Sequence, residues 1–564
     1  MALTNDDPGV PADQAADIGE QDDDTDEKSE RRGRDISKKR SVRDELLKLY
    51  KDVETGFRDQ WSRSNDQLEF WEIYNCILTA KQFYNGDSRI FVPIIHNAVN
   101  ARKTRFTNQI FPQSGRYVEV TASDGTRPDA LTALLEYYVR KAKLRTIVMP
   151  ALCKAGDIEG HYNLYVSWCK RKRHVTWKVT TMPETEPGVP NPAVEPHEDI
   201  KQEEVEAAHP EVEVINDSDI LLLPQTADSI EEAIADGGSV TIQRRWGKAK
   251  IKKMIKDGAI RKDEGEALIK QMAKKSPPQD VNAEKRMVDA AGIKTGEGGK
   301  KHALVYETYS LVETKKDEHR LCQTFFGSET QILGCRRNPL WSDKVPLLSV
   351  PVEKVANVFK GRSKIADCAD LQYYANDSIN EAADSGILGL MPVIMTDPEK
   401  NPRTGSMVLS KAAVWETSPK DTSVLQFPQI WEKGFEIVNA CKAEVAQTLS
   451  VSPAAITQGG MMTRGKPNQA MVAQEQQVDI LTTADAVTVI EEGILTPMLD
   501  LFIELDHQYR DDEITVRSFG EMGLKASMEH IPPVQMDKRY QFRWFGVEQA
   551  RSAQQIQQQI AGMN

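Results

Sequence analysis

The sequence predicts an α+β fold, and three observations carry that reading. Apolar residues recur every three or four positions over several long stretches, the period of an amphipathic helix. Other segments alternate aromatic and polar residues between Gly, Pro and Asp turns, the pattern of strands. The chain has 564 residues, 40% of them apolar and 28% charged. That is enough for about three to five domain-sized units with a sizeable core.

In chain order, Leu46, Leu47, Tyr50, Val53, Phe57 and Trp61 sit three or four apart and predict a helix over 43–76, with Phe70, Trp71 and Tyr74 as bulky core anchors. Helix is also predicted from Pro93 to Phe111 and from Asp129 to Gly156. His161 to Val179 reads as strand, with Lys170, Arg171, Lys172 and Arg173 as a charge-protected edge, and Ile220-Leu-Leu-Leu resumes it. Ser229 to Lys275 reads as lysine-rich helix whose charges fit a wet face around Ile251, Met254 and Ile255. Ser276 to Lys301, with two prolines and four glycines, reads as a linker. Strands are predicted at His302–Val312, Leu321–Phe326 and Gln331–Gly334.

The following section is the most organised. Arg362 to Leu390 predicts one helix, about 43 Å long at 1.5 Å per residue, whose stripe of Ile365, Cys368, Leu371, Ala375, Ile379, Ala382, Ala383 and Ile387 is mostly small residues. Met391 to Phe427 breaks into short strand-like pieces between Pro, Gly and Asp. Trp431 to Ser450 is helical again, with Trp431, Phe435, Val438, Cys441, Val445 and Leu449 on one face. A Gly/Met-rich loop, 457–468, leads to a long helix from Gln469 to Arg510 with a break expected at Gly493 and Pro497.

The formal charge of −13 is unevenly placed. Residues 1–27 carry ten acids and no Lys or Arg; Glu184 to Asp219 carries twelve acids, one Lys and five prolines. These tracts hold −10 and −11, so everything else sums to +8. Their composition predicts disorder or exposed loops, and the acidic total does not argue against a nucleic-acid partner. The basic stretch Lys28 to Arg43 reads as a solvated helix entrance. No apolar run approaches the roughly 18–20 residues of a membrane span, and no secretory signal opens the chain. Seven scattered cysteines without a C-x-x-C pair fit a reducing cytoplasm.

Tests for enzyme chemistry point away from it. Gly460 to Lys466 matches a phosphate-cradling loop until Pro467 replaces the Ser or Thr that would ligate magnesium. There is no G-x-S-x-G, no H-E-x-x-H and no clustered Cys/His set. His96 reads as a packed helix residue, and Asp367, Asp370, Asp377, Glu381 and Asp384 as a solvated or pore-facing stripe. No catalytic residue, metal or cofactor is expected.

Phe91-Val-Pro-Ile-Ile-His-Asn-Ala-Val-Asn-Ala-Arg leading to Asn108-Gln-Ile-Phe-Pro, Gly361-Arg-Ser before a helix containing Gln372 and Asn376, Leu390-Met-Pro-Val-Ile at its end, and the Gly/Met-rich loop together set an order of parts. That order resembles the portal (head-to-tail connector) proteins of tailed bacteriophages, especially short-tailed ones, over roughly 45–550. The resemblance implies an acidic-then-basic tail at 1–42, a wing at 43–360 holding the insertion 184–219, a first stem helix at 361–390 and a clip at 391–428. It then implies a second stem helix at 429–456, a tunnel loop at 457–468, a long kinked helix at 469–512 toward wing or crown, and a wing return with the start of a short crown at 513–564.

The function it implies is a virion ring at one capsid vertex, of twelve copies in that family, assembled in the host cytoplasm. Double-stranded DNA passes inward through it during packaging and outward during ejection, without sequence specificity. The implied partners are major capsid and scaffolding protein, the terminase large subunit and tail adaptor or head-completion proteins, with no membrane. Arg464, Lys466, Gln458, Asn468, Met461 and Met462 would face DNA from the loop, and Arg403, Lys411 and Trp415 would meet motor or adaptor from the clip. The alternatives are a capsid or tail protein lacking a pore and, below that, a DNA-packaging enzyme.

Overall fold

A computed structural model describes residues 36, 40–78, 88–112, 115–181, 184–186, 189–190, 197–274, 302–315, 318–327, 332–390, 393–396, 422–425, 431–451, 456, 485–519, 526–534 and 539–546. The fold is mixed helix and strand. The first helix, α1 (Arg40–Tyr74), is followed by α2 (Ile94–Ile110), β1 (Val118–Ala122), α3 (Asp129–Lys141), a π-helical turn at Leu144–Val148 and α4 (Met149–Glu159). The single helix expected from 129 to 156 is therefore two. Lys143 takes a left-handed conformation (φ 55°) where they part, and Pro150 stands in the first turn of α4, where its missing N–H costs nothing.

A long strand, β2 (His161–Thr181), pairs along its length with β5 (His197–Val214), from Leu164↔Val214 to Thr181↔His197. Two short strands, β3 (Glu184–Glu186) and β4 (Val189–Pro190), pair between them. Much of the acidic insertion is thus ordered, against the disorder or loop expected for 184–219. Composition counts the glutamates of β5 without the residues facing them across the pair. In the register Val212 stands opposite Val166 and Val214 opposite Leu164, apolar pairs that favour a ladder. Downstream, Asp217 is buried, in a short 3-10 turn, Asp217–Asp219.

Strands β6 (Ile220–Leu223), β7 (Ser239–Gly247), β8 (His302–Lys315), β9 (Glu318–Gly327) and β10 (Ile332–Arg337) form an antiparallel sheet in the order β10-β9-β8-β7-β6. The region 229–275, expected to be helical, contains β7 between α5 (Ile230–Ala235) and the helices α6 (Lys248–Lys256) and α7 (Lys262–Lys274). Val240, Ile242 and Trp246 are buried there in alternation with polar residues, a period-two signal masked by the lysine-rich helices beside it. One sheet face receives Val42, Leu46, Tyr50 and Val53 of α1. The other receives Ile251 of α6 and Leu268 of α7.

Strand β11 (Leu347–Pro351) joins β2 and leads to α8 (Ala369–Leu390), β12 (Val393–Thr396), β13 (Thr422–Leu425) and α9 (Trp431–Thr448). The first long helix begins at Ala369, later than the 361 expected, because the preceding residues are used elsewhere: the Ser363 hydroxyl bonds the Ile158 carbonyl at 2.7 Å at the end of α4. After 485–490 a π-helical turn, Glu491–Leu495, interrupts the helix at Gly493, where a Cβ would meet Val350 at 2.4 Å, and α10 (Thr496–Tyr509) carries Pro497 in its first turn. The chain then returns through β14 (Ile514–Phe519), β15 (Ala526–Ile531) and β16 (Tyr540–Trp544), the last pairing with β1. Phe106, Tyr138, Leu152, Phe502 and Trp544 anchor the largest core. No described helix is long and apolar enough to cross a membrane.

Candidate functional site: a helix pair clamped to the body

Helices α8 and α9 pack against each other and share a core of Ile365, Cys368, Ala375, Ile379, Val438, Cys441, Val445 and Leu449 with Ile94, Ile95, Ala98 and Val99 of α2. The small-residue stripe matters at Gly434: a Cβ there would lie 2.5 Å from the Ala382 Cβ and 3.0 Å from the Ser378 carbonyl. Two backbones this close gain dispersion contact along their length. Past the helices, β12 and β13 pair antiparallel from Val393↔Leu425 to Thr396↔Thr422. The helix pair also shows apolar side chains to solvent, with Tyr374 56%, Ile387 52% and Phe435 51% exposed.

The inner face of α8 reads main chain. At four-residue spacing, Gln372, Asn376 and Asn380 lie one above the next, as helix geometry requires. The extended segment 88–93 runs alongside. Ile95 donates its N–H to Gln372 Oε1 (3.1 Å), and Val92 donates to Asn376 Oδ1 (2.9 Å). Gln372 Nε2 donates to the Val92 carbonyl (2.6 Å), and Ser88 donates to Asp384, one turn beyond Asn380. All three amides are buried, so each bond stands where an unmade one would cost about 1–3 kcal/mol.

The far end of α9 is tied to the body by Arg102 of α2. Its guanidinium donates to the Leu449 carbonyl at 2.9 Å, and its Nε lies 3.1 Å from Asp157 Oδ1 on α4. Both side chains are buried. Burial pushes the Asp157 carboxyl up, while Arg102 pulls it back down. A cation on the last carbonyls of a helix also suits its dipole.

A second polar junction joins α1 to the turn before α8. The Trp71 indole N–H and the Asp217 N–H donate to the two oxygens of Glu159 (2.8 and 2.6 Å). Lys360 donates to Asp217 Oδ1 (2.6 Å), and Gln67 to Oδ2 (2.9 Å). Gly361 N–H donates to His161 Nδ1 (3.2 Å). Burial pushes the Glu159 carboxyl up to about 8 and the His161 imidazole down to about 4. Gly160 (φ 89°) and Gly361 touch here: a Cβ on either would stand within 2.7 Å of the other's carbonyl oxygen.

A third network lies in the sheet. Glu307 accepts from Tyr165 (2.9 Å), Tyr309 (2.8 Å), Gln323 (2.6 Å) and Arg244 (3.1 Å). Burial pushes its carboxyl up, but Arg244 and the other donors more than offset this and hold it below the usual range. Each network is enclosed and its acids are occupied by fixed partners, the arrangement of structural polar clusters.

No family model and no curated protein matches this chain.

The nine residues predicted for tunnel loop and clip, Gln458, Met461, Met462, Arg464, Lys466, Asn468, Arg403, Lys411 and Trp415, all lie outside the described residues. His96 is packed as expected, with Nδ1 2.8 Å from the Tyr74 carbonyl and its ring 4.8 Å from that of Tyr74. Of the carboxylate series, Asp370 and Glu381 are exposed, and Asp367 pairs with Arg362 at 2.5 Å. Asp377 departs from the solvated stripe and is buried. Among the described residues no group of His, Cys, Asp and Glu is placed to hold a metal. Gln372 and Asn376 are marked in the sequence, whereas Asn380 and the pairing of Arg102 with Asp157 are not. Asn380 was visible as the next step of the four-residue series; Arg102 and Asp157 are 55 positions apart and carried no signal.

Proposed function

We propose that the chain is a subunit of a portal ring: a non-catalytic homo-oligomer at one capsid vertex through which double-stranded DNA is packaged and released. The single observation that carries this reading is the helix pair α8/α9, closed at one end by the β12–β13 pair, tied to the body at the other by Arg102, and bearing exposed Tyr374, Ile387 and Phe435. Each copy would present these apolar groups to a different surface of its neighbour. Such unlike contacts close into a ring when the rotation permits. In this reading the segment after α9, with Arg464 and Lys466, lines the channel. A few cations suffice there, because phosphate contacts give sequence-independent, salt-sensitive affinity that still lets DNA slide. The β12–β13 end meets the packaging motor and later the tail adaptor.

The test is assembly through the helix pair. Ile387→Asp with Phe435→Asp places charge on two half-exposed sites and should leave folding intact while reducing the sedimenting mass from that of a ring to that of one subunit. A double variant with the wild-type mass would contradict the proposal. For the channel, Arg464→Ala with Lys466→Ala should impair DNA packaging or retention while rings persist.

A further inference from the structure

Helix α6 carries a run of positive charge. Its nine residues include Lys248, Lys250, Lys252, Lys253 and Lys256 and no acid. All five are exposed. Among the described residues none forms an ion pair or hydrogen bond, although Asp257, Asp263, Glu264 and Glu266 follow closely in sequence. Ile251 is buried against Trp246, Leu268, Val305 and Phe325, with Met254 and Ile255 packed on that cluster. The helix is thus fixed by its apolar side. Lys248, Lys252 and Lys256 then form a ridge at four-residue steps, about 6 Å apart along the axis.

The chain itself contains a matching polyanion. Residues 1–27 hold ten acids and no base, densest at Asp22, Asp23, Asp24, Asp26 and Glu27. In an extended chain alternate residues lie on one side, about 6.6 Å apart. Asp22, Asp24 and Asp26 therefore repeat at nearly the interval of the lysine ridge. Reach is sufficient. The start of α1 lies where Glu45 meets His319 and Glu313 at the β8–β9 turn, while α6 leaves β7 at Gly247, opposite His302 at the other end of β8. The eleven steps along β8 from His302 to Glu313 span about 36 Å. From Ile36, which packs beside α1 on the sheet, the fourteen residues back to Asp22 can extend roughly 48 Å. Tethering of this kind holds a segment at roughly millimolar local concentration, ahead of a free anionic polymer.

We infer that residues 1–27 dock on the lysine ridge of α6 in the same chain, covering a basic face that would otherwise take nucleic acid or another acidic surface. This docking is independent of the portal reading. Zero-length carbodiimide coupling of the full-length protein, followed by peptide mapping, tests it. Links from carboxylates of 1–27 to Lys248, Lys252 or Lys256 are expected at low salt, and their loss at 0.5 M salt, where the screening length falls to a few ångströms. Mixed isotope-labelled and unlabelled chains should give links within one chain; links only between chains, or only to Lys28, Lys38 and Lys39, would overturn the assignment. As an independent readout, acetylation of the α6 lysines should rise at least roughly threefold when Asp22, Asp23, Asp24 and Asp26 are changed to Asn. Equal acetylation in both proteins would also overturn it.

Discussion

Asn380 holds both main-chain polar groups of Ile90: its Oδ1 accepts the Ile90 N–H at 2.7 Å, and its Nδ2 donates to the Ile90 carbonyl at 2.9 Å. The pairing copies what a neighbouring β-strand would offer, but from a helix side chain. Asn380→Ala removes both bonds from a buried site and should cost about 2 kcal/mol. Urea unfolding measures the loss, and amide exchange at Ile90 should accelerate more than at Ile95, which is held by Gln372.

At Gly434 the two long helices meet without side chain between them. Gly434→Val would force them apart against Ala382 and Ser378, and overpacking of this kind costs about 1–3 kcal/mol. A Cβ added at Gly386, on the same helix pair, would meet nothing within 4 Å, so Gly386→Ala should be neutral or slightly stabilising. Thermal unfolding of the two variants side by side gives the comparison.

Much of this architecture was legible because it is local. The small-residue stripe of α8 announced close packing, and the four-residue spacing of Gln372 and Asn376 put both on one face. The segments Phe91–Arg102 and Gly361–Ser363, marked in the sequence as separate motifs, both turn out to serve the same helix: one docks on α8, and the other anchors the turn before it. What stayed hidden depends on partners distant in sequence. The acidic β5 reads as unfoldable until β2 is set opposite it. Strand β7 lies in a stretch that reads as helix, because its short alternation is a weak signal beside lysine-rich helices. Arg102 gave no sign of meeting Leu449, which is 347 positions away.

Arg102 and Asp157 are a pair whose partners cannot be removed singly without cost. Arg102→Met leaves Asp157 buried and uncompensated and frees the Leu449 carbonyl, a loss of about 3–5 kcal/mol. Adding Asp157→Leu should restore part of it, since two apolar side chains bury no charge. A double variant less stable than Arg102→Met would show that Asp157 has another stabilising role. Chemical unfolding of both single variants and the double variant closes the cycle.

His161 gives the stability a pH dependence of known sign. Burial takes its pKa from 6.5 down to about 4, so between these values the unfolded chain binds the extra proton. Stability is lost as pH falls from about 6.5 toward 4, by on the order of 3 kcal/mol over the full span. Glu159, raised to about 8, acts in the opposite direction, with stability falling as pH rises from about 4.5 to 8. His161→Asn keeps an acceptor for the Gly361 N–H and removes the ionisable ring. The difference between wild-type and variant stability should therefore shrink at low pH, as read by unfolding at pH 4.5, 5.5 and 7.

If helix pairs from several copies enclose a channel, the purified full-length protein should show it in the electron microscope. Ring particles with rotational symmetry and a central hole wide enough for a DNA duplex are expected, and monomers, sheets or solid particles would contradict the portal proposal.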